Sequence, residues 1–135
     1  MVGKSSVRDL VVYWSKINNV PPELALAVAY QESRFALSPP RGSAGEIGPM
    51  QIMPERCRVE GYAPSRLSEP EFNIWLGTKL LARYFAEEKS YSRVACKYVA
   101  GPAVFERKYS QELQDYINAY AASVERYAHY FAEHA

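Results

Sequence analysis

The sequence predicts a mainly α fold of about six helices around one core, and three observations carry that prediction. Apolar residues recur on a 3.6-residue period in the long segments, and no segment shows convincing period-two alternation. Prolines, glycines and asparagines separate these segments, and serines stand where helix N-caps are needed. The chain has 135 residues, 48% of them apolar, which is enough for one real core and too few for two. A single domain over residues 1–135 is expected.

The first helix, capped by Ser5 or Ser6, carries the stripe Val7, Leu10, Val11, Trp14 and Ile17 and serves packing. Asn18-Asn19 and Pro21-Pro22 break it. The same prolines suit the first turn of a second helix, where a missing N–H costs no intrahelical bond. On that helix Leu24, Val28 and Gln31 share a face, and Glu32 lies beside Val28, Ala29 and Phe35. Residues 36–47, with Ser38, Pro39, Pro40, Gly42, Ser43 and Gly45, form a loop by composition. Arg56 to Leu67 reads as an irregular connector containing Gly61 and Pro64, with Tyr62 a candidate to reach a groove.

Ser68-Glu69-Pro70-Glu71 reads as a capping box, Ser68 at the N-cap and Glu71 at N3. It opens a helix carrying Phe72, Trp75, Leu76, Leu80, Tyr84 and Phe85 and ending in Glu87-Glu88-Lys89. A shorter helix over Tyr91–Val99, capped by Ser92, delivers Tyr98 to the Gly101-Pro102 turn. Ser110 caps the last helix, whose stripe is Leu113, Tyr116, Ile117, Tyr120, Val124, Tyr127 and Phe131.

Glu32 is the candidate for chemistry. Glu23 sits at the start of its helix, where the dipole favours an acid, whereas Glu32 is near the other end and gets no such help. Apolar neighbours disfavour its anion, so its pKa rises and the carboxyl stays protonated near neutral pH, the state that donates a proton to a leaving oxygen. The competing reading is an acid on the last turn that points into water. Gly48 to Gln51 is the second candidate. Gly48 permits close backbone approach, Met50 offers an adaptable apolar surface, and Gln51 brings an amide. Asn73 is an amide among apolar residues and must find partners. Glu46 is the acid nearest the turn in sequence. An inverting glycosidase needs a second carboxylate roughly 6.5–9.5 Å from the first; the other reading of Glu46 is a loop residue accepting a structural hydrogen bond.

Four ordered blocks narrow the choice. They are Gln31-Glu32-Ser33-Arg34-Phe35, the turn Gly48-Pro49-Met50-Gln51-Ile52-Met53-Pro54, Asn73-Ile74 with Gly77 and Leu80-Leu81, and Tyr98-Val99-Ala100-Gly101-Pro102. Together they resemble the soluble lytic transglycosylase (SLT domain, goose-lysozyme-like) family over about residues 20–120. The resemblance implies a lysozyme-like fold and cleavage of the β-1,4 bond between N-acetylmuramic acid and N-acetylglucosamine, leaving 1,6-anhydro ends. It implies that Glu32 is the catalytic acid and then base. By the same resemblance Ser33, Met50, Gln51, Tyr98, Gly101 and Tyr116 bind substrate, Tyr116 as the tyrosine that hydrogen-bonds near the acid. Gly48 and Asn73 support the site. The pattern departs at Val99, where the family carries an Asn that helps line the sugar site. A hydrolytic muramidase on the same fold and a catalytically silent wall-binding module remain as alternatives.

Other features set limits. A net charge of +1 gives no electrostatic reason for a nucleic acid or anionic membrane partner. No stretch of about 18 apolar residues exists to span a bilayer. Most of the eleven tyrosines and two tryptophans are expected in the core, and any that reach a groove offer the kind of face on which sugars stack. Neither His lies in a ligand cluster, so no metal and no cofactor are expected. Cys57 and Cys96 read as free buried thiols. A monomer acting on peptidoglycan glycan strands, in the periplasm or cell wall, is expected. The N-terminus MVGKSSVRDL lacks the apolar region of a secretory signal, which suggests a phage-encoded protein, a trimmed form, or another route of delivery.

Overall fold

Each predicted stripe buries one side and becomes a helix. The structure, a computed structural model, describes residues 5–134; the reading of Met1 to Lys4 as part of an N-terminus without an export signal lies outside the described residues. Among these residues the helices are α1 (Val7–Ile17), α2 (Pro22–Ser33), α3 (Pro54–Val59), α4 (Pro70–Glu88), α5 (Tyr91–Ala100) and α6 (Gln111–His134). Short 3₁₀ turns lie at Pro64–Ser68 and Val104–Glu106. The β content among the described residues is a single antiparallel bridge, Ile47 to Ile52. The fold is mainly α, as the sequence predicts.

The centre is α2. Leu24, Ala25, Leu26, Ala27, Val28 and Ala29 are all fully buried, which a helix tolerates only when neighbours cover it all round. α1 packs on one side and α6 runs along another; α6 also packs on α5, and α4 is held between α1 and α5. α6 keeps a stripe for this purpose in Ile117, Tyr120, Ala121, Val124, Ala128 and Phe131. The predicted stripes are trimmed at their ends, with Ile17, Leu113 and Tyr116 exposed.

Four local predictions are corrected. Pro54 opens a true helical turn, α3, which runs on through Val59 into what reads as an irregular connector from Arg56, because six residues are too few to show a period. Ser68 does not cap α4: Pro70 takes the first helical position and fixes Glu69 as the extended residue before it. The Ser68 hydroxyl instead donates to Ser65 O (3.0 Å), and Glu71 accepts from the Trp14 indole (2.9 Å). The cap of α5 is Ser90, which accepts from Arg93 N (3.3 Å), so Ser92 lies within the helix. Tyr62 packs edge-on against Phe72 and Trp75 and does not enter the cleft described below. Cys57 is buried and Cys96 half-buried, both as free thiols. No helix among the described residues is long and apolar enough to cross a membrane.

Candidate active site

Glu32 occupies the last full turn of α2, and the chain leaves the helix directly afterwards through Arg34 and Phe35 in left-handed conformations (φ 54° and 64°). This exit carries the Arg34 cation away. Its guanidinium lies 4.4 Å from the centre of the Tyr30 ring and donates to the Tyr127 hydroxyl (3.1 Å). Arg34 is thus not among the groups that act on the Glu32 carboxyl. Burial dominates there and raises the Glu32 pKa from 4.5 to about 7. The Tyr120 hydrogen bond pulls the other way and the Glu46 charge adds to the rise.

Tyr120, 5% exposed on α6, donates its hydroxyl to Glu32 Oε2. Its own pKa stands well above the usual phenol range, first through burial and then through the facing Glu32 charge, so it remains a donor. The predicted partner of Glu32, Tyr116, lies one turn earlier and is 58% exposed. Tyr116 lines the cleft wall; the hydrogen bond belongs to Tyr120. Residues four apart share a helix face, so the sequence pattern alone does not separate the two.

The opposite wall is the turn between Ile47 and Ile52. These two residues exchange both backbone hydrogen bonds (3.0 and 2.9 Å), and Gln51 N donates to Gly48 O (2.9 Å). Closing so short a loop needs positive φ at Gly48 (81°) and Gln51 (50°). Asn73, fully buried on α4, fastens the turn. Its Oδ1 accepts from Met50 N (2.8 Å), and its Nδ2 donates to Ile47 O (2.8 Å) and Leu67 O (3.0 Å). A Cβ on Gly48 would lie 2.2 Å from the Asn73 amide nitrogen. The side-chain amide of Gln51 donates to Gly48 O (3.0 Å) and faces the cleft.

Met50 does not line the cleft. Its side chain is fully buried and seated against Gly77 of α4, where a Cβ would come within 2.7 Å of Met50 Cγ. Met50 acts through its backbone: its carbonyl accepts from the Tyr98 hydroxyl (2.7 Å), which joins α5 to the turn. Ser33 is also displaced from the predicted role. Its hydroxyl donates back to Ala29 O (3.2 Å), and Ser33 is not among the cleft-lining residues.

Glu32, Glu46, Gln51, Tyr98, Gly101 and Tyr116 therefore converge on one cleft of about 450 Å³, with Val99 on its wall. Glu46 Oε1 accepts from Ala44 N (2.9 Å), so one carboxylate oxygen is used to hold its own loop. A wider hollow of about 930 Å³, between residues 15–22 and 82–89, has no carboxylate on its walls. The cleft is the place where a carboxyl of raised pKa meets room for a ligand. Among the described residues no group of three or more His, Cys, Asp or Glu is placed to hold a metal ion.

A family model described as the transglycosylase SLT domain matches residues 9–121. Among solved structures, the X-ray structure of an inactive mutant of the lytic transglycosylase Slt from Pseudomonas aeruginosa is similar over 90% of this chain, with a TM-score of 0.72 and 25% identity. The chain spans 23% of that protein's length. No curated protein sequence matches the chain significantly.

Proposed function

The chain belongs to the transglycosylase SLT domain family, and from that membership we propose that it is a peptidoglycan lytic transglycosylase with Glu32 as its one catalytic acid and base. The observation that carries the proposal is a carboxyl raised to about 7 by burial at the wall of a ligand-sized cleft. Such a group is part protonated and part ionised at neutral pH, so it serves both halves of a proton relay.

The relay runs as follows. Glu32 donates its proton to the glycosidic oxygen between N-acetylmuramic acid and N-acetylglucosamine, and the C1–O bond breaks. The muramic N-acetyl carbonyl supports the positive charge at C1. The Glu32 anion, held by the Tyr120 hydroxyl, takes the proton of the muramic C6 hydroxyl while O6 closes onto C1. The product ends in a 1,6-anhydro ring, the proton is back on Glu32, and no water is consumed. Gln51, Tyr98, Gly101 and Tyr116 supply the walls that position the sugar. The proposal extends to a single catalytic domain over residues 1–135 that acts as a monomer. The place of action is peptidoglycan, in the periplasm or the cell wall.

A second reading is favoured by one observation: Glu46 lines the same cleft and its charge acts on Glu32. With Glu46 positioning a water, the scaffold would be a hydrolytic muramidase. Clearing of purified cell walls by Glu32→Gln and Glu46→Gln variants separates the roles. The Glu32→Gln protein is expected to lose at least about 100-fold in rate, and Glu46→Gln to retain most activity. Equal clearing by Glu32→Gln and wild type would remove Glu32 from the chemistry.

A further inference from the structure

The same cleft is also lined by Arg56, Leu80, Tyr84 and Lys97. Its charges are unequally satisfied. Lys97, 8% exposed, has its ammonium 2.7 Å from Glu88 and 3.2 Å from Glu87. Glu55 on the rim pairs with Arg58 (3.0 Å), and nearby Arg83 grips Glu60 through two nitrogens (2.7 and 2.9 Å). Arg56 is different: it is half-buried, and among the described residues no carboxylate lies within ion-pair distance of it. Its field reaches Tyr84, whose hydroxyl makes no hydrogen bond to another described residue.

Glu32 feels the Glu46 charge, whereas around Tyr84 the cations Arg56 and Arg83 oppose the acids Glu60 and Glu87. Tyr98, which lines the same cleft, feels both Glu32 and Tyr84. A guanidinium is a planar fork of five donors that matches a carboxylate in bidentate fashion. Arg56 acts on the Glu60 carboxylate only at longer range, Glu60 being already gripped by Arg83, so it gains from a ligand that brings an acid within ion-pair distance.

We propose that Arg56, with Tyr84 beside it, binds a carboxylate carried on the 3-O-lactyl arm of a muramic acid residue, so that acid-bearing wall strands are selected over uncharged N-acetylglucosamine polymer. The inference rests on the peptidoglycan reading above. The carboxylate has two possible sources with one chemistry: the lactyl acid itself where the peptide has been removed, or an acid of the stem peptide where it is present.

Calorimetry on the Glu32→Gln protein tests it with three tetrasaccharides: uncharged chitotetraose, a disaccharide-repeat strand with free lactyl acids, and the same strand with its stem peptides. Adding Arg56→Gln is expected to weaken binding of at least one acid-bearing strand by about tenfold or more and to leave chitotetraose unchanged. The strand that responds identifies the source. Arg56→Lys keeps the charge, so it recovers part of the lost affinity, which a merely unfolded variant would not show. Equal loss on all three ligands, or loss on none, overturns the proposal. If anhydro products still form from wild-type digestion, the transglycosylase reading survives that failure; if the parent protein binds none of the three, both fall together.

Discussion

Replacing Glu32 by Gln should make the protein more stable, by an amount that depends on pH. Moving a carboxyl from 4.5 unfolded to about 7 folded corresponds to about 3 kcal/mol, at about 1.4 kcal/mol per pH unit. Because the folded pKa is the raised one, the folded state holds the proton more tightly. Below the unfolded value both states are protonated and Glu32 imposes no cost. Between pH 4.5 and 7 the unfolded chain ionises first, so stability falls as pH rises; above the folded value the full penalty is present. The Glu32→Gln chain lacks this titration and keeps an amide oxygen to accept from Tyr120. Its advantage over wild type should therefore grow from near zero at acid pH to about 3 kcal/mol above neutrality, or about 10 °C in Tm for a chain of this size. Denaturant unfolding of both proteins at matched pH values measures the difference, in which other titrating groups largely cancel. A difference that stays constant across pH would refute the idea that burial holds the Glu32 proton.

Two further perturbations follow from the same contacts. Tyr120→Phe removes the one hydrogen bond that favours the Glu32 anion, so the Glu32 pKa should rise further and the alkaline limb of the pH–rate profile should move up. The same change should cost about 1–3 kcal/mol of stability; an unmoved limb would place the hydroxyl outside the relay. Gly48→Ala demands positive φ from a residue with a Cβ and drives that Cβ into the Asn73 amide. It should lose about 2 kcal/mol or more by denaturant midpoint, with activity falling alongside; wild-type stability would mean the turn is not fastened as described.

Long helices declared themselves in the sequence because burial of one face repeats over many residues. The burial of Glu32 was legible for the same reason: Val28 and Ala29 lie one turn below it and both are fully buried. Asn73 stood out because a buried amide must be partnered, and its three hydrogen bonds are those partners. What the pattern did not show is where single side chains point. Ser33 follows Glu32, but successive helical residues diverge by about 100°, so the two do not face one cleft. Met50 and Gln51 are neighbours in a turn whose positive φ at Gln51 sends one side chain into α4 and leaves the other on the cleft. Tyr116 and Tyr120 share a face, and only the depth at which α6 packs on α2 decides which reaches Glu32. Arg56 carried no signal at all, since the distance from its guanidinium to the acids around it is a property of the assembled groove.

Digestion of purified peptidoglycan in ¹⁸O-enriched water, followed by mass spectrometry of the released saccharides, bears most directly on Glu32 as acid and then base. The wild-type protein should release fragments one water lighter than hydrolytic products, with no solvent oxygen at C1, and the Glu32→Gln variant should release essentially none. Heavy oxygen at C1 of the wild-type products, or undiminished release by the variant, would contradict the account.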